Sequence, residues 1–397
     1  MFTCYKFRLY PSNDQERKLL WVLEKCRFLY NKLLENMNNN KTSRRESQHT
    51  ILIIKKENPE LCKIYSKVLQ YENWRLFSNL HSLYMRKSRG KKAGKLRFKG
   101  KQWFKSFTYS QSGFTFIKNN TRYDKLRLSK IGEVPLIMHR EVEGEIKQLT
   151  VKKQSSGKWF VLIISEVTKQ TNDVQKIDRV GIDLGTMNYA YDSDGNHFEN
   201  PKNLDGSIEK LKREQRQLSR KVRGSKNWRK HKIKVARTHE NIVSRRTDFL
   251  HKLSGYYVNR YGFIAVENLR MSGMVRHPRL SKSISDASWS RFITMLEYKA
   301  ERAGIRVVKV EPRNTSQNCS GCGSTVTKRL WVRTHACLQC GLTIDRDYNS
   351  AINILNKALL PERQEVTPVE IGPLLNNEQV RSRKQELEEN KNLTHRI

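Results

Sequence analysis

Residues 179–185 form the stretch Arg179-Val180-Gly181-Ile182-Asp183-Leu184-Gly185, which is apolar apart from its first residue and one acid. The pattern predicts a buried β-strand that carries Asp183. A second apolar stretch, residues 263–267, ends in Glu267, and a third acid, Asp347, stands near the C-terminal end of the folded sequence. Carboxylates on apolar strands are costly to bury unless they bind cations or other partners. Three converging acids can hold two Mg²⁺ ions for phosphodiester hydrolysis.

Two close cysteine pairs precede the third acid. Cys319 and Cys322 form the first pair, Cys337 and Cys340 the second, and fourteen residues separate them. This spacing is typical of a structural zinc ribbon, in which four thiolates fill the coordination shell and one Zn²⁺ ion folds the segment without catalysing a reaction. Asp345, which follows the ribbon, is interpreted as a solvated turn residue or a helix N-cap. The other cysteines are expected to lie in apolar cores: Cys4, Cys26 and Cys62.

The composition is strongly basic. Among 397 residues there are 77 Lys and Arg against 39 Asp and Glu, a formal net charge of +38. This balance excludes an ordinary metabolic enzyme and an acidic disordered scaffold, and it predicts a polyanionic partner, most often nucleic acid. The longest apolar run, residues 159–164, is far shorter than the about 20 residues of a membrane-spanning helix. With no signal-peptide pattern at the N-terminus, we expect a cytosolic protein.

Two segments concentrate the basic charge. Residues 86–105 contain ten Lys or Arg and no acid, interleaved with Phe98, Trp103 and Phe104. Residues 210–237 contain thirteen basic residues and one acid, in a predicted helical hairpin broken at residues 224–225. A run of charge is usually a solvated face, but interleaved aromatic residues favour phosphate pairing with base stacking. The candidate nucleic-acid contacts are Arg86, Lys87, Lys91, Lys92, Lys99, Lys101, Arg220, Lys221, Arg223 and Lys230.

The remaining patterns outline the other elements. Residues 3–9 alternate as a strand, and Ser12 with Gln15 forms a capping-box signature for a first helix. Helical spacing continues to about residue 85, whereas residues 106–168 read as strands of a small β-barrel or sandwich that recruits the N-terminal strand. A polar linker is expected at 169–176.

Taken in order, these motifs resemble the TnpB family, the RNA-guided nucleases of insertion sequences that are related to compact type V CRISPR effectors. The resemblance runs from residue 2 to about 356. The matching stretches are Tyr5-Lys6-Phe7-Arg8-Leu9-Tyr10-Pro11, Arg97-Phe98-Lys99, Gly181-Ile182-Asp183-Leu184-Gly185, Val266-Glu267-Asn268-Leu269, Ser285-Asp286-Ala287-Ser288-Trp289, Thr315-Ser316-Gln317 with Cys319-Ser320 and Cys322-Gly323, and Asp345-Arg346-Asp347-Tyr348-Asn349-Ser350-Ala351.

The resemblance implies a multidomain α+β fold. Its expected parts are a wedge β-barrel domain (1–10 and 106–168), an inserted helical recognition domain (11–105), an RNase H-like RuvC α/β domain (177–315 and 342–356), a Cys₄ zinc ribbon that interrupts it (316–341) and a flexible tail (357–397).

The resemblance also implies an activity. Asp183, Glu267 and Asp347 would be the RuvC catalytic acids, with two Mg²⁺ ions. The guide would be an RNA from the right end of the mobile element, the target double-stranded DNA beside a short flanking motif, and the location the prokaryotic cytosol or nucleoid. Three alternatives stay open: a nuclease-inactive RNA-guided repressor, a DNA-strand-transfer transposase, and an actin- or Hsp70-like ATPase that uses residues 181–186 as a phosphate loop.

Overall fold

The structure is a computed structural model that describes residues 2–40, 42–101, 103–119, 122–168, 178–274, 276, 281–329 and 331–364. The chain forms two compact units. The first comprises Met1–Val174, Pro201–Tyr256 and Thr294–Gly304, and the second comprises Gln175–Asn200, Tyr257–Ile293 and Ile305–Ile397. The linker expected at 169–176 lies outside the described residues, as does the expected tail from residue 365 onward.

The helical part of the first unit follows the N-terminal strand. It consists of α1 (Asn13–Asn40), α2 (Arg44–Glu57), a short 3-10 helix (Pro59–Lys63) and α3 (Ser66–Ser88). The predicted capping box begins α1, because the Ser12 N–H donates to Gln15 Oε1 at 2.9 Å and the Gln15 N–H donates to Ser12 Oγ at 3.3 Å. A second capping box, between Ser43 and Glu46, begins α2. Both helices therefore start where side chains satisfy otherwise unpaired N–H groups.

A seven-stranded antiparallel sheet completes the core of the first unit. Its strands are β1 (Phe2–Leu9), β2 (Ser106–Ser110), β3 (Phe114–Ile117), β4 (Asp124–Leu128), β5 (Gly132–Ile137), β6 (Glu145–Lys153) and β7 (Trp159–Glu166). The order is β2-β6-β7-β1-β5-β4-β3, so the N-terminal strand joins the sheet at its middle. Tyr5, Phe7 and Leu9 point into the core, as their alternation predicts.

We expected a small β-barrel or sandwich here, and the structure shows a curled sheet. Among the described strands the hydrogen-bonded order is a row with β2 and β3 at its ends. The two ends curl toward each other, because Tyr109 on β2 donates its hydroxyl to the carbonyl of Ser129, just after β4, at 2.9 Å. A side-chain contact closes the gap where ladder hydrogen bonds would close a barrel.

Thirteen further elements follow β7 in the described part of the chain. In chain order they are β8 (Arg179–Leu184), β9 (Asn188–Asp192), β10 (His197–Glu199), α4 (Asp205–Ser219), α5 (Lys226–Arg260), β11 (Phe263–Glu267), α6 (Met271–Met274), α7 (Ser281–Ala287), α8 (Trp289–Ala303), β12 (Arg306–Val310), β13 (Thr334–Ala336), β14 (Thr343–Asp345) and α9 (Arg346–Gln364).

A five-stranded mixed sheet forms the centre of the second unit. The order is β10-β9-β8-β11-β12. β8, β11 and β12 run parallel to one another, whereas β9 is antiparallel to β8 and β10 is antiparallel to β9. β11 is buried along its whole length, since it lies between two parallel neighbours. With its helices, this unit has a mixed α/β architecture.

Helix α9 lies unusually close to β8. A Cβ atom at Gly181 would stand 2.2 Å from the carbonyl oxygen of Ala351 and 2.7 Å from the backbone nitrogen of Leu355. Since no side chain fits at that distance, only glycine allows the helix backbone to approach this strand. The close approach fixes the helix that carries Asp347 beside the strand that carries Asp183.

The helices α4 and α5 belong to the first compact unit, which includes residues 201–256. Within this unit Lys158 pairs with Glu240 on α5 at 3.2 Å. The last helix continues to Gln364, eight residues into the expected tail, because Ala358 still packs in the core. No helix among the described residues is both long and apolar enough to span a membrane.

Candidate active site and metal centre

The structure places the three predicted acids close together. Asp183 lies near the end of β8, Glu267 ends β11 and Asp347 is in the first turn of α9. Parallel pairing aligns Ile182 with Val266, so the first two acids follow at the next position of neighbouring strands. Glu267 and Asp347 are 7% and 8% exposed, and Asp183 is half-buried. All three donors are carboxylate oxygens, the ligands that hard divalent cations such as Mg²⁺ prefer.

The acids influence one another electrostatically. Burial raises the pKa of Asp183 well above its ordinary range, and the charges of Glu267 and Asp347 raise it further, while Arg346 and Arg333 oppose the shift. Burial also raises the pKa of Glu267 and the pKa of Asp347. Carboxyl groups in this state repel one another when ionised, and a divalent cation would relieve the repulsion. The residues present therefore fit a divalent-metal site.

Asp347 has two charged neighbours, Arg333 and Asp345, and the sequence pattern indicates a role only for Asp345. The guanidinium of Arg333 forms an ion pair with its Oδ2 atom, which lowers the pKa of Asp347 against the effect of burial. Asp345 accepts from the backbone N–H groups of Asp347 at 2.7 Å and Tyr348 at 3.3 Å, so it caps α9. The cap agrees with the N-cap interpretation of Asp345. No sequence signal distinguishes Arg333 from the other basic residues.

Glu267 is held by a residue from the start of the ribbon segment. The Thr315 hydroxyl lies 2.5 Å from Glu267 Oε1 and donates to it. This hydrogen bond lowers the pKa of Glu267, although burial outweighs it. Thr315 is itself 3% exposed. Thr315 belongs to the motif before Cys319, but no sequence pattern indicates that its hydroxyl binds Glu267.

The four ribbon cysteines form a compact cluster. Their sulfur atoms all lie within 4.8 Å of one another, with 3.6 Å between Cys319 and Cys340 and 3.6 Å between Cys322 and Cys337. A tetrahedral Zn²⁺ ion with bonds of about 2.3 Å separates its sulfur ligands by about 3.8 Å, whereas a disulfide would need about 2.05 Å. The cluster therefore fits one zinc ion.

Ser324 favours the thiolate forms of two cluster cysteines, Cys322 and Cys337, whereas contacts with the other cysteines raise the pKa of Cys340 to about 12 in the metal-free cluster. The Ser324 hydroxyl lies 3.0 Å from Cys322 Sγ and 3.2 Å from Cys337 Sγ. Hydrogen bonding from Ser324 and from backbone N–H groups lowers the pKa of Cys337 to about 6. Because zinc binds the thiolate form, this supports metal binding at neutral pH.

The other cysteines correct one expectation. Cys26 is buried in the core of the first unit, as predicted, but Cys4 and Cys62 are exposed. Cys4 lies on the outward face of β1, between the inward-pointing Tyr5 and the half-buried Thr3. Alternation alone would have placed it there, so the expectation of a core position was wrong for these two residues.

The first basic segment presents most of its charge to solvent. Its exposed candidates are Arg86, Lys87, Lys91, Lys92 and Lys101. Trp103 is 83% exposed and Phe98 is 59% exposed, which suits stacking on bases. Phe104, by contrast, is buried and faces the Arg75 guanidinium at 5.1 Å. Phe104 is therefore a core residue and not a stacking platform.

Lys99 also differs from the other candidates. Its N–H donates to Asn31 Oδ1 at 2.8 Å, and its carbonyl accepts from Arg27 at 3.0 Å, so its backbone is fixed to α1. Its ammonium lies 5.7 Å from the centre of the Tyr30 ring, and the residue is half-buried. Lys99 therefore anchors the segment to α1, unlike the exposed lysines beside it.

The second basic segment lies around the turn between α4 and α5. Arg220, Arg223 and Lys230 are exposed, and Lys221 is half-buried. Gly224, at the predicted break, has a φ of +90°, a conformation that glycine adopts without strain. The hairpin carries these charges on its surface.

Three family models match consecutive parts of the chain. A helix-turn-helix domain (HTH_OrfB_IS605) matches residues 1–45, a probable transposase (OrfB_IS605) matches residues 162–277, and a Cas12f1-like TNB domain matches residues 289–354. The described residues of the first of these regions contain β1, the long helix α1 and the first two residues of α2.

Two curated relatives match most of the chain. "Putative RNA-guided DNA endonuclease InsQ" of Escherichia coli (strain K12) is 31% identical over 371 residues, which cover 88% of this chain and 91% of the relative. "Putative RNA-guided DNA endonuclease" of Streptomyces pristinaespiralis is 33% identical over 369 residues, 89% of each chain. A solved chain described as "Cryo-EM structure of the Cas12f1-sgRNA-target DNA complex" has the same fold, with a TM-score of 0.57 at 15% identity over 90% of this chain and 99% of that one. By its sequence relatives and matching family models, this chain belongs to the TnpB family of IS605-type elements.

Proposed function

We propose that this chain is an RNA-guided DNA endonuclease of a transposable element, which hydrolyses DNA phosphodiester bonds at a RuvC site. One observation carries the proposal: Asp183, Glu267 and Asp347 come from three separate elements and meet as interacting, partly or fully buried carboxyl groups. Carboxyl groups whose pKa values are raised by burial are typical of functional sites. Membership of the TnpB family supports the same reaction.

Asp183, on the central strand of the sheet, would hold two Mg²⁺ ions together with Glu267 and Asp347. When bound, such ions would supply activation of the attacking water and charge stabilisation of the departing oxygen. Thr315 keeps Glu267 oriented through its hydrogen bond. Arg333 partly neutralises Asp347 through its ion pair.

The proposed domain roles follow the two units only in part. We assign residues 1–10 and 106–168 to a wedge domain, 11–105 to a recognition domain, 177–315 and 342–356 to RuvC, and 316–341 to a ribbon with one Zn²⁺ ion. The mixed sheet with an acid on its central strand supports the RuvC assignment. The helices α4 and α5 fall within the RuvC range but belong to the first compact unit.

The proposed partners are a guide RNA from the right end of the element and a double-stranded DNA target beside a short flanking motif. Base pairing would supply specificity, and the basic segments would hold phosphates. The protein would act in the prokaryotic cytosol, at the nucleoid.

The test is cleavage of a DNA duplex that matches the RNA copurified with the protein, after that RNA has been sequenced. Cleavage should need Mg²⁺ and should disappear in Asp183→Ala, Glu267→Ala and Asp347→Ala, while RNA-guided binding persists. Glu199→Ala, an exposed acid on β10, is the matched control and should cut normally.

The alternatives give different results in the same experiment. Binding without any cutting by the unmodified protein would support the repressor. Joining of DNA ends without a copurified RNA would support a strand-transfer transposase. Unchanged cutting by the Asp183 or Glu267 variant would overturn the proposed site.

A further inference from the structure

Two asparagines connect the zinc ribbon to the helix that carries Asp347. Asn349 Oδ1 accepts from the Ser320 N–H at 2.9 Å, and its Nδ2 donates to the Asn318 carbonyl at 2.8 Å. Asn353 Nδ2 donates to the same Asn318 carbonyl at 2.7 Å and to the Thr315 carbonyl at 2.8 Å. Asn349 is fully buried and Asn353 is 8% exposed. The pair forms a clamp of four hydrogen bonds, which we call the asparagine clamp.

The clamp holds the backbone on both sides of a proposed zinc ligand. Asn318 and Ser320 flank Cys319, so the position of this thiolate is tied directly to α9. Asn349 stands two residues after Asp347, and Asn353 follows one turn later on the same helix face. A shift of the first cysteine knuckle would therefore move the helix start that carries the acid.

The same clamp reaches a second acid. Asn353 holds the carbonyl of Thr315, and the Thr315 hydroxyl donates to Glu267. One side chain thus joins the ribbon, the helix and the residue that orients Glu267. Asp347 and Glu267 are therefore both connected to Cys319 through the clamp. Along each route, at most one residue separates one contact from the next.

The chemistry of the clamp requires asparagine. The site contains the carbonyls of Thr315 and Asn318, which need donors, and the half-buried N–H of Ser320, which needs an acceptor, and a carboxamide supplies both kinds of group. Aspartate could not donate to the carbonyls, and an apolar residue would leave all three groups unpaired. A purely apolar contact would pack this interface without fixing its register.

We propose that Asn349 and Asn353 are positioning residues that couple zinc binding in the ribbon to the geometry of the divalent-metal site. When zinc folds the ribbon, the clamp sets the positions of Asp347 and Glu267. When zinc is absent, the acids lose that alignment although the sheet remains folded. The proposal rests on the proposed function only in taking the three acids as the divalent-metal site.

The test measures Mn²⁺ binding to the full-length protein by electron paramagnetic resonance, together with zinc content and thermal unfolding. Asn353→Ala should bind Mn²⁺ about tenfold or more weakly, the usual effect of losing an outer-shell partner, while it keeps one zinc ion and binds RNA normally. Asn356→Ala is the matched control, since Asn356 is exposed on the same helix. It should bind Mn²⁺ like the unmodified protein. Asn353→Ser, which shortens the side chain but keeps a polar group, is measured in the same way. It replaces Asn353→Ala if the alanine variant does not fold.

A double-mutant cycle identifies the route of the coupling. Cys340→Ser should also weaken Mn²⁺ binding, and combining it with Asn353→Ala should add little, because both changes break the same connection. Full additivity would overturn the proposal.

The same measurements distinguish failure of the clamp proposal from failure of the proposed nuclease site. If Asp183→Asn abolishes Mn²⁺ binding but Asn353→Ala and Asn353→Ser bind as tightly as Asn356→Ala, the clamp is only a structural contact and the proposed nuclease site stands. If Mn²⁺ binding does not depend on Asp183 at all, the proposed site itself is wrong.

Discussion

Replacing Asp183 with asparagine separates function from stability at the proposed site, because it removes one charge and keeps the shape of the side chain. Burial and the charges of Glu267 and Asp347 raise the pKa of Asp183. Without a divalent cation, the folded protein therefore contains acids that repel one another. We expect Asp183→Asn to abolish cleavage and to make the metal-free protein more stable than the unmodified one.

The size of the gain follows from the charges. Like charges at close range in a partly screened site repel by about 1–3 kcal/mol per pair. Arg333 and Arg346 offset part of this repulsion and Asp183 is only half-buried, so we expect a net gain of about 1–2 kcal/mol. In a unit of this size, 1 kcal/mol corresponds to about 2–4 °C in Tm. The metal-free variant should therefore unfold about 2–8 °C higher near neutral pH.

The gain should also depend on pH in a defined direction. The folded pKa of Asp183 lies above its unfolded value, so the metal-free unmodified protein loses stability as the pH rises from about 4 through the raised folded pKa. Above the folded pKa of Asp183, the loss of stability stays at its full size. Asparagine does not titrate, so the difference in Tm between the two proteins should vanish at acid pH and reach its maximum at high pH.

The assay is differential scanning calorimetry of both proteins across this pH range, with and without Mg²⁺, beside the cleavage assay. Mg²⁺ should raise the Tm of the unmodified protein and leave that of the variant almost unchanged. Glu199→Gln, which removes an exposed charge from β10, should alter neither Tm nor cleavage. A metal-free Asp183→Asn protein that unfolds at or below the Tm of the unmodified protein would refute the reasoning about mutual repulsion.

Four further predictions concern other parts of the chain. Elemental analysis should find about one zinc ion per chain, lost in Cys340→Ser and kept in Cys62→Ser, whose thiol is exposed and distant in sequence from the cluster. Replacing the basic residues of 86–92 with glutamine should weaken RNA binding and flatten its salt dependence in filter-binding experiments; an unchanged slope would make the segment a solvated face. Arg333→Gln should tighten Mn²⁺ binding several-fold, about 1 kcal/mol, because it removes a competing positive charge from Asp347; weaker binding by paramagnetic resonance would contradict this. Burial raises the pKa of Glu72 to about 8, so protein stability should fall as pH rises from about 4.5 to about 8 and then level off. Glu72→Gln should lack that slope in thermal unfolding, and an identical slope would assign the titration to another group.

Local patterns predicted much of this molecule. The capping box at Ser12, the break in the basic hairpin at Gly224 and the acids at the ends of apolar strands all depend on residues close in sequence. The spacing of the cysteines likewise predicted the compact cluster, since each pair needs only a tight turn to bring its thiols together. In each case the physical cause operates over a few residues, so the sequence states it directly.

Non-local contacts could not be predicted in this way. The order of strands in the first sheet depends in part on pairings between residues more than a hundred positions apart, so local patterns predict the strands but not their order. Arg333 is one of 77 basic residues, and only the folded ribbon brings it to Asp347. Lys99 and Phe104 share the composition of their segment, and only packing against α1 and Arg75 distinguishes them from their exposed neighbours.

The central position of β1 has a consequence for the order in which the protein is made. β1 leaves the ribosome well before its partners β5 and β7, which lie more than a hundred residues later. At about 5–20 residues per second, β1 waits on the order of ten seconds or more without a neighbour. An unpaired apolar strand is prone to join other chains during such a wait. Lys6 and Arg8, on its opposite face, can discourage that association until both settle over Phe160 of β7 at 4.2 and 5.2 Å.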